Sequence, residues 1–257
     1  MAELTYTPQE LMVVVAAREV RDGELVFVGM RLPLLAFLLA KATHAPRAVG
    51  IFENGVIRDT PAEEFLVTMS DGPNVAGASW CGEMIDVMAL LQSGRVDLGF
   101  IGGAQIDRFG NLNTSYIREG EKIVRLPGSG GACDIAGLAR RHIIIMNHER
   151  RRLVPQVDYV TSPGYGEGRD WRRRVGLPGE GPSAVITTLG LFRVDSETKE
   201  LVLASVHPGV SVDEVKNQTG WPLRALPDLS LTPAPTAEEL LRVRSYDPQG
   251  FWTHSRQ

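Results

Sequence analysis

The stretch Gly50-Ile51-Phe52-Glu53-Asn54-Gly55 sets one carboxylate where chemistry is usually done. The run Ala48 to Phe52 is apolar, rich in β-branched and aromatic side chains, and bracketed by Pro46 and Asn54-Gly55, so it predicts a short buried strand. Glu53 then stands at the carboxyl end of that strand, the end beyond which open α/β sheets bind ligands. Asn54-Gly55 predicts a sharp turn, with Gly55 supplying positive φ or close backbone approach. Glu53 serves chemistry in one reading and caps a neighbouring turn in the other.

Two glycine-rich stretches are the other candidates. Gly102-Gly103-Ala104-Gln105 follows the apolar run Val96 to Ile101, a second predicted strand. The missing Cβ atoms at Gly102 and Gly103 let a ligand or neighbouring backbone come close. Gln105 and Asp107 can then bond a ligand or hold loops, and Asn54 can shape its turn or touch substrate. Gly128-Ser129-Gly130-Gly131-Ala132 offers consecutive backbone N–H groups ahead of a predicted helix, Asp134 to Arg140. Such a loop can stabilise an oxyanion or be a plain tight turn. Arg150-Arg151-Arg152 suits phosphates or carboxylates, or forms a solvated face or a subunit contact. His148 beside Glu149 reads as a packed polar pair, Cys133 as a small buried side chain or a low-pKa thiol, and the five histidines have no metal-ligand spacing.

The elements that must carry these residues alternate. Thr7-Pro8-Gln9-Glu10 opens a helix with a capping box and Pro at its first position, running to about Arg21. A strand at Leu25 to Gly29, an apolar helix from Leu32 to about Thr43 and the strand before Glu53 follow. This order with short connections predicts an α/β fold with an open, mostly parallel sheet covered by helices on both faces. Met84 to Leu91 predicts a helix, His142 to Met146 a strand, and Ala184 to Val194 with Leu201 to Val206 two neighbouring strands. The segment after Glu53 reads as irregular through Gly72-Pro73, residues 164–182 as a loop-rich lobe, and residues 236–245 as a capped terminal helix.

With 257 residues and 43% apolar content the chain can bury a full core as one domain spanning 1–257. A net charge of -4 gives no reason to expect nucleic acid or an anionic membrane as partner. The residues around Glu3 predict no signal peptide, and the longest apolar stretch, Leu32 to Ala40, is short of the roughly 20 residues that span a bilayer. Two cysteines without redox or metal spacing predict a cytoplasmic home.

The ordered set Glu53-Asn54-Gly55, Gly102-Gly103-Ala104-Gln105-Ile106-Asp107, Gly110-Asn111 and Gly128-Ser129-Gly130-Gly131-Ala132 resembles the β subunit of class I CoA-transferases, most closely the glutaconate type. The similarity extends through Asn147-His148-Glu149, Asp158 to Gly164 and Gly176-Leu177-Pro178-Gly179. The resemblance implies a Rossmann-like CoA-transferase fold and makes Glu53 the nucleophile that becomes a glutamyl-CoA thioester. It makes an amide of Gly130 or Gly131 the oxyanion donor, and places Gly128, Gly102, Gly103, Gln105 and Asn54 around the CoA ester. It implies an α-subunit partner, CoA esters and carboxylic acids as substrates, and no permanently bound cofactor or metal. Acyl-CoA decarboxylases and ring-opening hydrolases share the scaffold and are the alternative. An effector-binding module has little use for such a carboxylate.

Overall fold

The computed structural model describes residues 5–254 of the chain. In order, the elements are α1 (Pro8–Ala17), β1 (Leu25–Phe27), α2 (Leu32–Ala42), β2 (Val49–Ile51), β3 (Val56–Arg58), α3 (Gly72–Val75), β4 (Trp80–Cys81), α4 (Met84–Gln92) and β5 (Leu98–Ile101). There follow β6 (Gln105–Ile106), β7 (Leu112–Asn113), β8 (Tyr116–Glu119), β9 (Lys122–Arg125), α5 (Ala132–Leu138), β10 (Arg141–Met146), α6 (Trp171–Arg174) and β11 (Pro182–Thr187). The last are β12 (Gly190–Val194), β13 (Leu201–Val206), α7 (Val212–Asn217), β14 (Ala225–Leu231) and α8 (Ala237–Tyr246). The chain gathers into two compact units, one of residues up to Phe100 with those from Ala234 onward, the other Ile101–Pro233.

In the first unit the strand order is β5-β1-β2-β3-β4. β1 runs parallel to both β5 and β2, with Val26 opposite Leu98 and Gly50, while β3 and β4 turn back antiparallel. The expected capping box is present: Thr7 Oγ1 accepts from Glu10 N at 3.1 Å, and Glu10 Oε2 accepts from Thr7 N at 2.8 Å. α1 stops at Ala17, short of Arg21, because Glu19 N and Val20 N donate three residues back and tighten the last turn. α1, α2 and α8 pack on one another, and Met12, Phe27 and Phe37 lie in the core. Glu10 is buried with them. Burial alone raises its pKa, but the Arg244 guanidinium at 2.7 Å and the Thr7 N–H hold the carboxyl below its usual range.

In the second unit the order is β10-β11-β12-β13-β14. β10 with β11 and β13 with β14 are parallel, and β12 is antiparallel to both its neighbours. The α/β class expected from the alternation is the class observed, a mixed sheet of mostly parallel strands with packed helices. The expected single strand at 184–194 is instead two strands folded on themselves. Thr187 Oγ1 accepts from Gly190 N at 3.2 Å to close the turn, and a Cβ at Gly190 would lie 2.6 Å from Ser205 O. β14 escapes the sequence pattern because Pro227 interrupts it, and an edge strand tolerates that missing donor. No described helix is long and apolar enough to cross a membrane.

The loop at 164–182 is ordered around one side chain. Arg172, on the single turn of α6, is buried and donates to the carbonyls of Gly179 (2.9 Å), Gly164 (2.9 Å) and Ala136 (3.0 Å), with Pro163 and Gly137 at 3.4 Å. A buried carbonyl without a donor costs free energy, so this guanidinium supplies what an irregular chain cannot supply to itself. On β10, His142 is buried with neither ring nitrogen hydrogen-bonded among the described residues. Burial first, and the Arg172 charge second, push its pKa down to about 3; burial also takes His148 down to about 4.

Arg172→Met is expected to cost about 3 kcal/mol or more in urea unfolding, with Arg172→Lys recovering only part, since an ammonium has fewer donors than the guanidinium fork. The two histidines take up protons on unfolding. Their contribution to stability is therefore complete above pH 6.5 and lost as pH falls, towards 4 for His148 and towards 3 for His142. The slope in that window approaches about 1.4 kcal/mol per pH unit per histidine, and His142→Leu removes one share of it, as urea midpoints measured across the range will report.

Candidate active site

Glu53 lies just past β2, as the sequence predicts. Its chain turns at once: Gly55 N donates to Phe52 O at 3.0 Å, and Gly55 takes φ +99°. A Cβ on Gly55 would sit 2.3 Å from Gly82 O, so both space and φ demand glycine. Asn54 shapes the turn through both ends of its amide. Its Nδ2 donates to Met69 O at 2.8 Å, and its Oδ1 accepts from Val56 N at 3.4 Å. Glu53 itself is partly buried and, among the described residues, its carboxylate has no hydrogen-bond or ion-pair partner. It caps nothing. Other carboxylates of this chain, such as Asp71, Asp107 and Glu149, meet N–H donors or guanidiniums, and the contrast is plain.

The segment after Glu53 is not irregular throughout as expected, because β3 folds straight back on β2, and the irregular chain beyond it is not loose. Arg58, buried at the end of β3, donates to the carbonyls of Thr60 (3.0 Å), Pro61 (3.1 Å), Pro73 (3.2 Å), Asn74 (2.7 Å) and Ala76 (2.7 Å). Burial lowers its pKa from the ordinary guanidinium value. Sequence reading passes over this residue, because a lone arginine beside Asp59 looks like any surface charge.

In the second unit Gly102 is exposed at the end of β5, and a Cβ there would meet Ile145 O at 3.3 Å. Gly103 is needed for packing, since a Cβ would lie 2.7 Å from Leu112 Cδ2. Gln105 is buried and its amide is committed within the unit: Oε1 accepts from Asn113 Nδ2 (2.8 Å) and Asp158 N (3.1 Å), and Nε2 donates to Asp158 Oδ2 (3.0 Å). That is the loop-holding alternative of its two expected roles. Asp107 likewise serves a turn, accepting from Phe109 N and Asn111 N; burial raises its pKa against those bonds.

The glycine-rich loop separates its amides into used and unused. Gly128, at φ +100°, donates its N–H to Thr114 O at 2.8 Å and is not free to bind an oxyanion. The N–H groups of Ser129, Gly130 and Gly131 donate to no described atom, and Ala132 N closes back on Ser129 O at 3.0 Å. Gly130 takes φ +49° ahead of α5. The arginine run proves structural: Arg150 holds the carbonyls of Asn217 and Thr219, and Arg151 and Arg152 close on Glu149. His148 is packed, but not against Glu149. Its ring bonds Thr187 and Thr219 hydroxyls at 3.0 and 3.2 Å.

A family model described as Coenzyme A transferase matches residues 10–218. The chain belongs to the coenzyme A transferase family. It is 39% identical over 254 residues to the B subunit of 3-oxoadipate CoA-transferase from Pseudomonas knackmussii, covering 98% of this chain and 97% of that one. It is 36% identical over 263 residues to the B subunit of glutaconate CoA-transferase from Acidaminococcus fermentans, with the same coverage. The crystal structure of glutaconate coenzyme A-transferase from that organism superposes with a TM-score of 0.90 at 33% identity, covering 98% of both chains. The CoA-transferase assignment drawn from the motifs is thus supported along nearly the whole length.

Gly55→Ala is expected to cost about 2 kcal/mol or more of stability, measured by thermal or urea unfolding, against about 1 kcal/mol for Asn54→Ala, whose bonds water can partly replace.

Proposed function

We propose that this chain is the B subunit of a CoA-transferase that moves CoA from an acyl-CoA to a short-chain dicarboxylic acid through a thioester on Glu53. The observation that carries the reading is the carboxylate of Glu53: fixed at a strand end by a turn that only glycine can make, and left without a partner among the described residues. A carboxylate needs no base to become a nucleophile near neutral pH, and an unpartnered one need not break a bond before it attacks. 3-Oxoadipate and glutaconate, the acids in the names of the two relatives, are both dicarboxylates.

In this mechanism a Glu53 oxygen attacks the thioester carbonyl, the C–S bond breaks, and an acyl-glutamyl anhydride and CoA thiolate result. The thiolate attacks the glutamyl carbonyl and releases the first acid, leaving glutamyl-CoA. The second acid's carboxylate attacks that thioester, and the thiolate released then takes the new acyl group. Glu53 is restored as a carboxylate, with no water, oxidant or metal consumed. Each attack makes a tetrahedral oxyanion, for which the unused N–H groups of Gly130 and Gly131 are the donors in this reading. Gly102 leaves room for the pantetheine arm.

A partner subunit of the A type is part of the proposal. The relatives are named as B subunits, and Trp80, Met84 and Ile85 on edge strand β4 and the start of α4 are 50%, 53% and 67% exposed. Apolar residues grouped on a surface in this way suit a subunit contact. A cytoplasmic location is the natural one for two free cysteines.

The chain co-expressed with its partner subunit and given acyl-CoA without acceptor is expected to yield a borohydride- or hydroxylamine-trapped adduct on the Glu53 peptide by mass spectrometry. Glu53→Gln should abolish the adduct and lower turnover at least about 10³-fold. Consumption of acyl-CoA with Glu53 unmodified would replace the transferase with a decarboxylase or hydrolase.

A further inference from the structure

One face of the hairpin β8–β9 carries a grouping that neither the core nor Glu53 explains. The register sets Tyr116 opposite Arg125 and Arg118 opposite Ile123, so these four side chains share a face. Tyr159 packs against Tyr116 with ring centres 5.4 Å apart. The guanidiniums of Arg118 and Arg125 lie 5.1 and 6.0 Å from the Tyr116 ring centre, and Arg118 Nη2 donates to the Tyr116 hydroxyl at 3.2 Å. Neither arginine meets a carboxylate among the described residues, whereas Arg47, Arg151 and Arg174 each do. Tyr159 remains 48% exposed.

The hairpin is fixed at both its base and its flank. Leu126 N donates to Ser115 O at 3.0 Å and Gly128 N to Thr114 O at 2.8 Å, so the ladder runs down to the loop whose next three N–H groups are unused. Asp158 Oδ2, held by Gln105 Nε2 at 3.0 Å, accepts from Arg118 N at 3.1 Å. Asn113 Nδ2 bonds both Gln105 Oε1 and Tyr116 O. Gln105 is thereby a positioning residue for this face, a role its sequence neighbourhood does not disclose.

We propose that this face seats the nucleotide end of the CoA ester, with the adenine on the exposed Tyr159 ring and the phosphates on Arg118 and Arg125. The proposal rests on the CoA-transferase reading above. Flat bases stack on aromatic side chains whatever their sequence, and guanidinium forks match phosphate oxygens. Gly130 lies five positions beyond Arg125, at most about 17 Å of extended chain, which is the scale of the arm that joins a thioester to its nucleotide. Guanidiniums without carboxylates select an anion here over an apolar protein face.

The test uses the complex with its partner subunit. Adenosine 3′,5′-bisphosphate is titrated calorimetrically, and KM is measured for one acyl group carried on CoA and on pantetheine. Arg125→Ala and Tyr159→Leu are each expected to weaken bisphosphate binding and raise the acyl-CoA KM about tenfold, with kcat little changed. The preference for the CoA ester over the pantetheine ester should shrink by the same factor. Unchanged bisphosphate affinity and KM would overturn the proposal, and so would loss of the partner subunit on gel filtration, which would make the face a subunit contact. Failure of the transferase reading shows differently: bisphosphate binds the wild-type complex but no adduct forms on Glu53.

Discussion

Every buried carbonyl in a folded chain needs a donor, and in this protein two buried guanidiniums each supply several for one irregular segment. Arg58 gathers five carbonyls of the segment after Glu53, and Arg172 gathers those of the lobe after Pro163. Each sits inside its own unit, and each turns a stretch rich in Gly and Pro into a fixed surface. An arginine is suited to this because its planar fork presents five donors at once and stays charged even where burial lowers its pKa. The turn that carries Glu53 depends on the first of them. Asn54 anchors to Met69, which belongs to the segment Arg58 organises.

Against that background of satisfied groups, the unsatisfied ones are informative. Among the described residues Glu53 has no partner, and three consecutive amides after Gly128 have none, while the carboxylates of Asp71 and Asp107 and the amides of Asn54 and Gln105 are engaged. The transferase reaction proposed for Glu53 has a use for such open groups, because a donor with no bond to break needs little reorganisation when charge develops. His142 shows the other kind of unsatisfied group, fully buried where desolvation and the Arg172 charge keep it neutral. It reduces stability at acid pH without serving chemistry.

The similarity to these relatives extends over 98% of the chain. The motif from Asp158 to Gly164 illustrates how much of a signature is structural. Asp158 braces the hairpin, Thr161 accepts from Thr114 N at 3.0 Å and bonds the Ser115 hydroxyl at 2.7 Å, and Gly164 passes so close to Gly110 that a Cβ would lie 2.3 Å from its carbonyl carbon.

The alternation of apolar runs with capped helices determined the α/β class, because burial and capping are local properties of residue type. The Asn-Gly turn placed Glu53 at its strand end for the same reason. The sequence also marked Gly128 to Gly131 as one loop. Only the tertiary structure decided which of its amides are used, since Thr114 reaches Gly128 through a hairpin that weak, short strands with charged tips conceal. The folded chain alone likewise assigned Gln105 to Asp158 and Arg58 to the carbonyls beyond it, and divided 184–194 into two strands. Those outcomes depend on contacts between residues far apart in the chain, and residue type at one position carries no record of the partner that folding brings to it.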